Sequence, residues 1–435
     1  MSINYNIKKM KGMKKLIIIF SGLLLFSPVF AQSNDIKEND FTLGAQLRSR
    51  AEYRNGAFFP LGEGVDPAAF INNRSRLSME YKRSNLSLGL SAQHVGVWGQ
   101  DPQIDNNGRF MLNEAWANIN PGSGFFMKLG RQSLVYDDER IWGGLDWNVS
   151  GRYHDAMKLG FENAQNKLHL ILAFNQNSEK QYGGTYYAPG GQPYKTMQTL
   201  WYQFTESKAF NASFLLTNLG QEAGDATKSV VKNLQTFGTN LSFQPNNFQL
   251  YGTFYFQTGK NTADKSVSAY MWAVNASYLF NPAFKLMVAS DYLSGDDGED
   301  ADKYKAFNPL YGTHHKFYGT MDYFYASTFM IKGLWDNQLG ISYKASPKVT
   351  LALNYHHFQT AKDVLVGEEK QRALGSEWDF QLTWNVMKDA TLVGGYSTML
   401  GNDAMKAVKG GDPSKWQDWM WVSLNINPKI FITKW

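Results

Sequence analysis

The sequence predicts an all-β chain, a transmembrane antiparallel up-and-down β-barrel of about 18 strands. Three observations predict it. Eighteen short segments alternate apolar with polar residues; the connections between them are alternately short and long; and a lysine-flanked apolar run opens the chain. Outer-membrane barrels combine such strands with short periplasmic turns and long extracellular loops.

The opening run fixes the compartment. Lys8, Lys9, Lys11, Lys14 and Lys15 precede the apolar stretch Leu16–Phe26, and Val29-Phe30-Ala31 ends in a small residue. That order is a secretory signal. A helical membrane span needs about 20 apolar residues, and Pro28 interrupts this one. Residues 1–31 are therefore expected to be a signal peptide, 32–40 a periplasmic lead-in, 41–431 the barrel and 432–435 a C-terminal tail. The expected location is the outer membrane of a Gram-negative bacterium.

Charge follows from the same division. The chain holds 43 Lys+Arg and 38 Asp+Glu, and removing the five signal lysines leaves 38 against 38. The basic balance belongs to the targeting segment and gives no reason to expect nucleic acid. The absence of cysteine excludes disulfides, thiolate metal sites and cysteine nucleophiles. Phe, Tyr and Trp reach 15% of the chain with only 13 prolines, which suits many short strands with aromatic girdles.

The first strand is the clearest. In Phe41–Tyr53, Phe41, Leu43, Ala45 and Leu47 make one face, and Gln46, Arg48, Arg50 and Glu52 the other. Side chains alternate across a strand, so one face meets lipid and the other a lumen. The pattern repeats at Arg74–Tyr81, Leu86–Gln93, Leu112–Ile119, Phe125–Gly130, Arg152–Phe161, Leu168–Phe174, Thr196–Phe204 and Phe210–Leu216. It continues at Gln235–Phe243, Phe248–Phe256, Ser268–Phe280, Phe284–Tyr292, Gln338–Tyr343 and Val349–Tyr355. Gly375–Trp384, Leu392–Leu400 and Trp419–Ile426 complete the set. A tilted strand crosses a bilayer in about 9–11 residues.

Between these segments, Lys82–Asn85, Asn120–Gly124, Glu162–Asn166, Thr205–Lys208, Gln244–Asn247, Asn281–Ala283, Ala345–Pro347 and Lys388–Ala390 are short and rich in turn formers. They alternate with long polar connections, among them Arg131–Gly151, Asn175–Lys195, Gly295–Asn337 and Thr360–Leu374. A soluble all-β protein would instead turn its polar strand faces to water. With every periplasmic turn short, a plug must come from an extracellular loop, and Gly295–Asn337 is the foremost candidate.

Eighteen strands enclose more room than side chains fill. Lumen charge then decides what passes. Ten of the eleven arginines lie before residue 153. Period two places Arg48 and Arg50 inward on the first strand and Arg74 and Arg76 inward on the second. It groups Arg152 with His154 and Lys158 on the sixth. Arginine forks select anions and hold carboxylates in bidentate fashion. Glu52, Glu80, Glu114 and Asp155 lie near the same sector, so part of the row braces the wall and part faces a passing anion.

Other constellations carry less. His314-His315 and His356-His357 are adjacent pairs that would point to opposite faces of a strand and chelate poorly. Asp296–Asp302 lacks the ligand spacing of a calcium loop. Ser150, His154 and Asp155 lack a nucleophile elbow. No enzyme, metal or cofactor is expected. Membrane lipid, lipopolysaccharide and the barrel-assembly machinery are the expected partners, the last reading the terminal aromatic strand Trp419–Phe431.

Several strings resemble the alginate export family of outer-membrane proteins. They are Leu112-Asn-Glu-Ala-Trp-Ala117, Leu129-Gly-Arg-Gln132 with Tyr136-Asp-Asp-Glu-Arg140, and Trp142–Asp155. Further on come Asp291–Asp297, Phe307–Gly312, Gly319–Asp322 and Gly375–Asp379. The resemblance implies a monomeric 18-stranded barrel with an arginine-rich constriction that passes a polyuronate chain. It also implies that Arg131 and the Arg152/Asp155 pair are pore residues and that Arg74 lines the lumen. The expected site is Arg48, Arg50, Arg74, Arg76, Glu114, Arg131, Arg152, Asp155 and Lys158, acting on an anionic poly- or oligosaccharide. A general diffusion porin for small nutrients and a loop-closed surface binding barrel stand as the alternatives.

Overall fold

Alternation in the sequence becomes a cylinder. The computed structural model describes residues 38–101, 110–176, 178, 179, 181, 194–225, 229–324 and 331–435. The expected signal segment and Arg109 lie outside the described residues. Within them, β1 (Asp40–Asn55), β2 (Ala68–Arg83), β3 (Leu86–Val97), β4 (Phe110–Gly122), β5 (Phe125–Gln132), β6 (His154–Glu162) and β7 (Asn166–Phe174) pair in succession. So do β8 (Thr196–Thr205), β9 (Phe210–Gly224), β10 (Ser229–Phe243), β11 (Phe248–Lys260), β12 (Ser266–Asn281) and β13 (Phe284–Leu293). The circuit skips a two-residue strand, β14 (Lys303–Tyr304). It continues through β15 (Leu334–Lys344), β16 (Val349–Val366), β17 (Glu369–Met387), β18 (Ala390–Gly401) and β19 (Gln417–Ile426), which returns to β1. β20 (Lys429–Lys434) prolongs β19 along the start of β1. Counting β19 and β20 as one stave, eighteen antiparallel staves close the barrel.

Closure is what lets a sheet sit in hydrocarbon, because every backbone donor and acceptor finds a neighbouring strand. The side chains obey the expected polarity. On β1, Leu47 is 47% exposed on the outer face, while Arg48 and Arg50 are buried inside. On β19, Met420, Val422 and Leu424 are exposed, while Trp419, Trp421 and Ser423 are buried. Greasy outward and polar inward is the reverse of a water-soluble sandwich.

The short turns form by one recurring mechanism. Asn281 Oδ1 accepts from the Ala283 and Phe284 amides, and Asn163 Oδ1 from those of Gln165 and Asn166. Ser207 Oγ and Ser346 Oγ cap their turns in the same way. Such side chains replace the ladder partner that a turning backbone loses.

Three differences from the sequence reading have physical causes. Thr360–Leu374 is not a loop: β16 and β17 run to 18 and 19 residues and meet at Gly367–Glu368, with Gly367 at φ +62°. β9 and β10 likewise extend to 15 residues each. These extensions carry Gln, Glu, Lys and Asn, so the apolar alternation fades although the pairing continues. The expected tail at 432–435 is also strand. Lys429–Lys434 pairs with Asp40–Gly44, and the backbones of Asn39 and Trp435 bond to each other in both directions. The break before it falls at Asn427-Pro428, where proline has no amide to donate.

Candidate functional site

Two long loops turn into the barrel instead of away from it. One joins β5 to β6 and buries Leu134, Tyr136, Ile141, Trp142 and Leu145; the other follows β13 and buries Phe307, Leu310, Tyr318, Met321, Tyr323 and Phe324. The loops are sewn together. The amide of Tyr311 donates to the carbonyl of Ile141, that of Gly143 to Tyr311, and that of Thr313 to Glu139. The plug is therefore built from two loops, where the sequence reading favoured Gly295–Asn337 alone.

The arginine row is where the plug is fastened. Arg48 Nη1 donates to the Asp146 carbonyl at 2.7 Å and to its carboxylate at 3.1 Å, and Nη2 reaches the Asn148 carbonyl. Arg74, fully buried, donates to the Val149 carbonyl at 2.6 Å, the Asn148 carbonyl at 2.8 Å and Asp146 Oδ1 at 2.6 Å. Arg50 bonds the Trp147 carbonyl and Glu52, and its guanidinium lies 3.7 Å from the Trp147 ring centre. Arg76 holds Gln93, whose amide donates to the Ser150 carbonyl. Four inward arginines thus grip the backbone of residues 146–150 directly or through one side chain.

The same turn is wedged by aromatics. Trp147 stacks on His315 of the second loop at 4.0 Å and meets Trp419 and Trp421 edge-on. Partial desolvation at the wall works against ionisation of Asp146, whose side chain is itself exposed, yet the Arg74 hydrogen bond and the charges of Arg48, Arg74 and Arg76 hold its carboxyl below the ordinary range. The plug reaches the other walls too. Asp137 accepts from Trp201 and Ser213, Thr320 bonds Asp379, and the Met321 amide donates to Glu377. Burial raises the Asp137 carboxyl in spite of its donors.

Arg140 is the site residue that sequence reasoning missed. It makes two 3.0 Å bonds to Asp291 of β13, a 2.7 Å bond to Asp138, and lies over Phe317 at 3.9 Å. Its signal was present in the run Tyr136–Arg140, a dense charge cluster in a segment read as an outside loop.

The remaining expected residues divide. Arg48, Arg50, Arg74, Arg76, Glu114 and Lys158 face inward. Glu114 accepts from the Ser133 amide at 3.0 Å and so supports the root of the plug. Arg152 precedes β6 and lies inside the plug, donating to the carbonyls of Tyr311 and Gly312. Arg131 and Asp155, expected at the pore, do not face the lumen. They pair with each other at 2.9 and 3.0 Å on the outer face, beside exposed Leu129. Strand parity is the reason. Lys128, Gln132, His154 and Lys158 take the inward positions, which leaves Arg131 and Asp155 pointing out.

Two of the lumen cavities lined by described residues lie beneath the plug. One, of about 490 Å³, lies against β11–β15 and is lined by Asp138, Arg140, Lys285, Lys316, Tyr251 and Asn275 among others. The other, of about 570 Å³, lies at the short-turn end of β2–β6, with Glu80, Lys82, Trp116, Phe126, Lys128, Lys158 and Glu162 on its walls.

A family model described as alginate export matches residues 40–410. No curated protein matches the chain by sequence. Among solved structures, Acinetobacter baumannii OccAB1 superposes with a TM-score of 0.61 at 12% identity, covering 90% of this chain and 97% of that one. The outer membrane protein OprD from Pseudomonas aeruginosa gives 0.61 at 11%, with 90% and 94% covered. Pseudomonas aeruginosa OccK5 (OpdH) gives 0.57 at 12%, with 90% and 99% covered. At such identity the likeness is one of fold.

Proposed function

The chain belongs to the alginate export family and is an outer-membrane channel, and from that premise we propose that it passes anionic solutes, an acidic polysaccharide or its oligomers foremost. One observation carries the reading beyond family membership. The β1–β6 wall presents inward cations along its height, from Arg48, Arg50, Arg74 and Arg76 beside the plug to Lys128 and Lys158 near the short turns. Fixed cations along a narrow wet path lower the energy of an anion more than that of a neutral sugar. Exposed apolar side chains on β1, β4, β10, β12 and β19 support a single barrel surrounded by lipid and lipopolysaccharide.

Reversal potentials across a planar bilayer under a salt gradient test the proposal. Anion preference with block by a polyuronate is expected, and cation preference overturns it. Equal passage of neutral sugars into liposomes would favour the diffusion porin, and a silent membrane the loop-closed binding barrel.

A further inference from the structure

We propose that Lys128 and Lys158 form a carboxylate-binding subsite for one acidic sugar unit at the periplasmic mouth of the lumen; this deepens the anion-channel reading and rests on it. The two lysines stand directly opposite each other on β5 and β6. Like charges in that position destabilise a sheet. Among the described residues neither ammonium has a hydrogen bond or an ion pair. Each rests instead on aromatic faces: Lys128 Nζ lies 3.6 Å from the Trp116 ring centre, and Lys158 Nζ lies 5.8 Å from Phe126 and from Tyr136.

The nearby carboxylates make their bonds elsewhere: Glu114 accepts from the Ser133 amide at 3.0 Å. Glu80 pairs with Lys82 at 2.9 Å, and Glu162 bonds His169 at 2.8 Å. Two positive charges are thereby held together on one wall of a 570 Å³ cavity, with Glu80, Glu114 and Glu162 near them but, among the described residues, no carboxylate bonded to either ammonium. That volume is in the range of small-ligand pockets. The seat is fixed: Trp116 lies against Gly89, where any Cβ would run into the indole, and Phe126 lies over Gly160 in the same way. These glycines let both aromatic rings lie flat on the wall and aim the ammoniums at the cavity. A carboxylate bridging the two ammoniums, with its sugar ring along Trp116 and Phe126, would satisfy what the protein leaves open.

Calorimetric titration of the detergent-solubilised full-length barrel with a tri-uronate reads the site without any current. Saturable binding is expected, weakened at least tenfold in the Lys128→Gln/Lys158→Gln double variant and restored in Lys128→Arg/Lys158→Arg. Because the double variant relieves repulsion, its heat-stability on gels is expected to equal or exceed that of the parent. Unchanged affinity in the double variant, no binding by the parent, or equal binding of inorganic phosphate or a neutral trisaccharide overturns the subsite. Loss of folding in the double variant overturns it too, by showing the lysines to be structural. The channel reading is judged separately by the reversal potential, so a barrel can keep anion preference and lose this subsite.

Discussion

Two heights of one wall hold cations under opposite conditions. Near the plug, Arg48, Arg50 and Arg74 spend their donors on carbonyls and on Asp146 or Glu52. Nearer the short turns, Lys128 and Lys158 lie half-buried beside aromatic rings, and among the described residues neither has a hydrogen-bonded partner. A guanidinium fork can hold two or three backbone carbonyls at once, which suits it to clamp a loop. An ammonium on a flexible stem serves better as a mobile point charge. Positive charge on a lumen wall therefore says little about availability until the partners are counted.

The sharpest way to break this contrast is to remove the clamp. Replacing Arg48 and Arg74 together by Ala deletes seven charge-assisted hydrogen bonds to residues 146–149. At about 1 kcal/mol or more each, undocking of the plug is expected, seen as several-fold larger single-channel conductance and new protease cleavage within residues 133–153. Unchanged conductance would show that the plug holds without its arginines. Trp147→Ala attacks the same turn through packing. Loss of the stack on His315 and Arg50 is expected to cost about 2–3 kcal/mol, giving frequent brief openings rather than a steadily open pore.

Acid should loosen the plug as well. Burial drives His314 down to about 4, and it sits in the second plug loop. Its folded value lies below the ordinary 6.5. It therefore contributes its full stabilisation above pH 6.5 and loses it as pH falls toward 4, at up to about 1.4 kcal/mol per pH unit. Current recordings from pH 7.5 to 5 are expected to show rising open probability, with a flatter profile in His314→Gln. The smallest effect belongs to Arg131→Gln. Its pair with Asp155 is partly exposed on the outer face, so a change of 0–1 kcal/mol in stability and no change in ion preference are expected. A shifted reversal potential would return Arg131 to the pore.

That last variant also marks what was legible. Every predicted strand exists, because lipid on one side and water on the other impose period two on the residues that cross. Arg48, Arg50, Arg74, Arg76 and Lys158 face inward for the same reason. Arg131 and Asp155 were assigned by motif resemblance, yet parity from Lys128 and His154 already placed them outside. Local pattern was the better guide. The plug was less readable, since nothing in the composition of residues 133–153 distinguishes a polar loop facing solvent from one folded against a polar wall. The dense run Tyr136–Arg140 and the apolar residues Leu134, Ile141 and Trp142 were its traces. Arg140 depends on Asp291, 151 positions away, a pairing invisible to any window.

The Trp147 wedge has a consequence for how the molecule comes together. It touches Arg50 near one end of the chain, Trp419 and Trp421 near the other, and His315 from a loop between them. None of these is close to it in sequence, so the wedge cannot seat until the first and last staves have met. Contacts of such high order form late. An assembling barrel should therefore pass through a hollow cylinder, already sealed at its seam and still without its stopper.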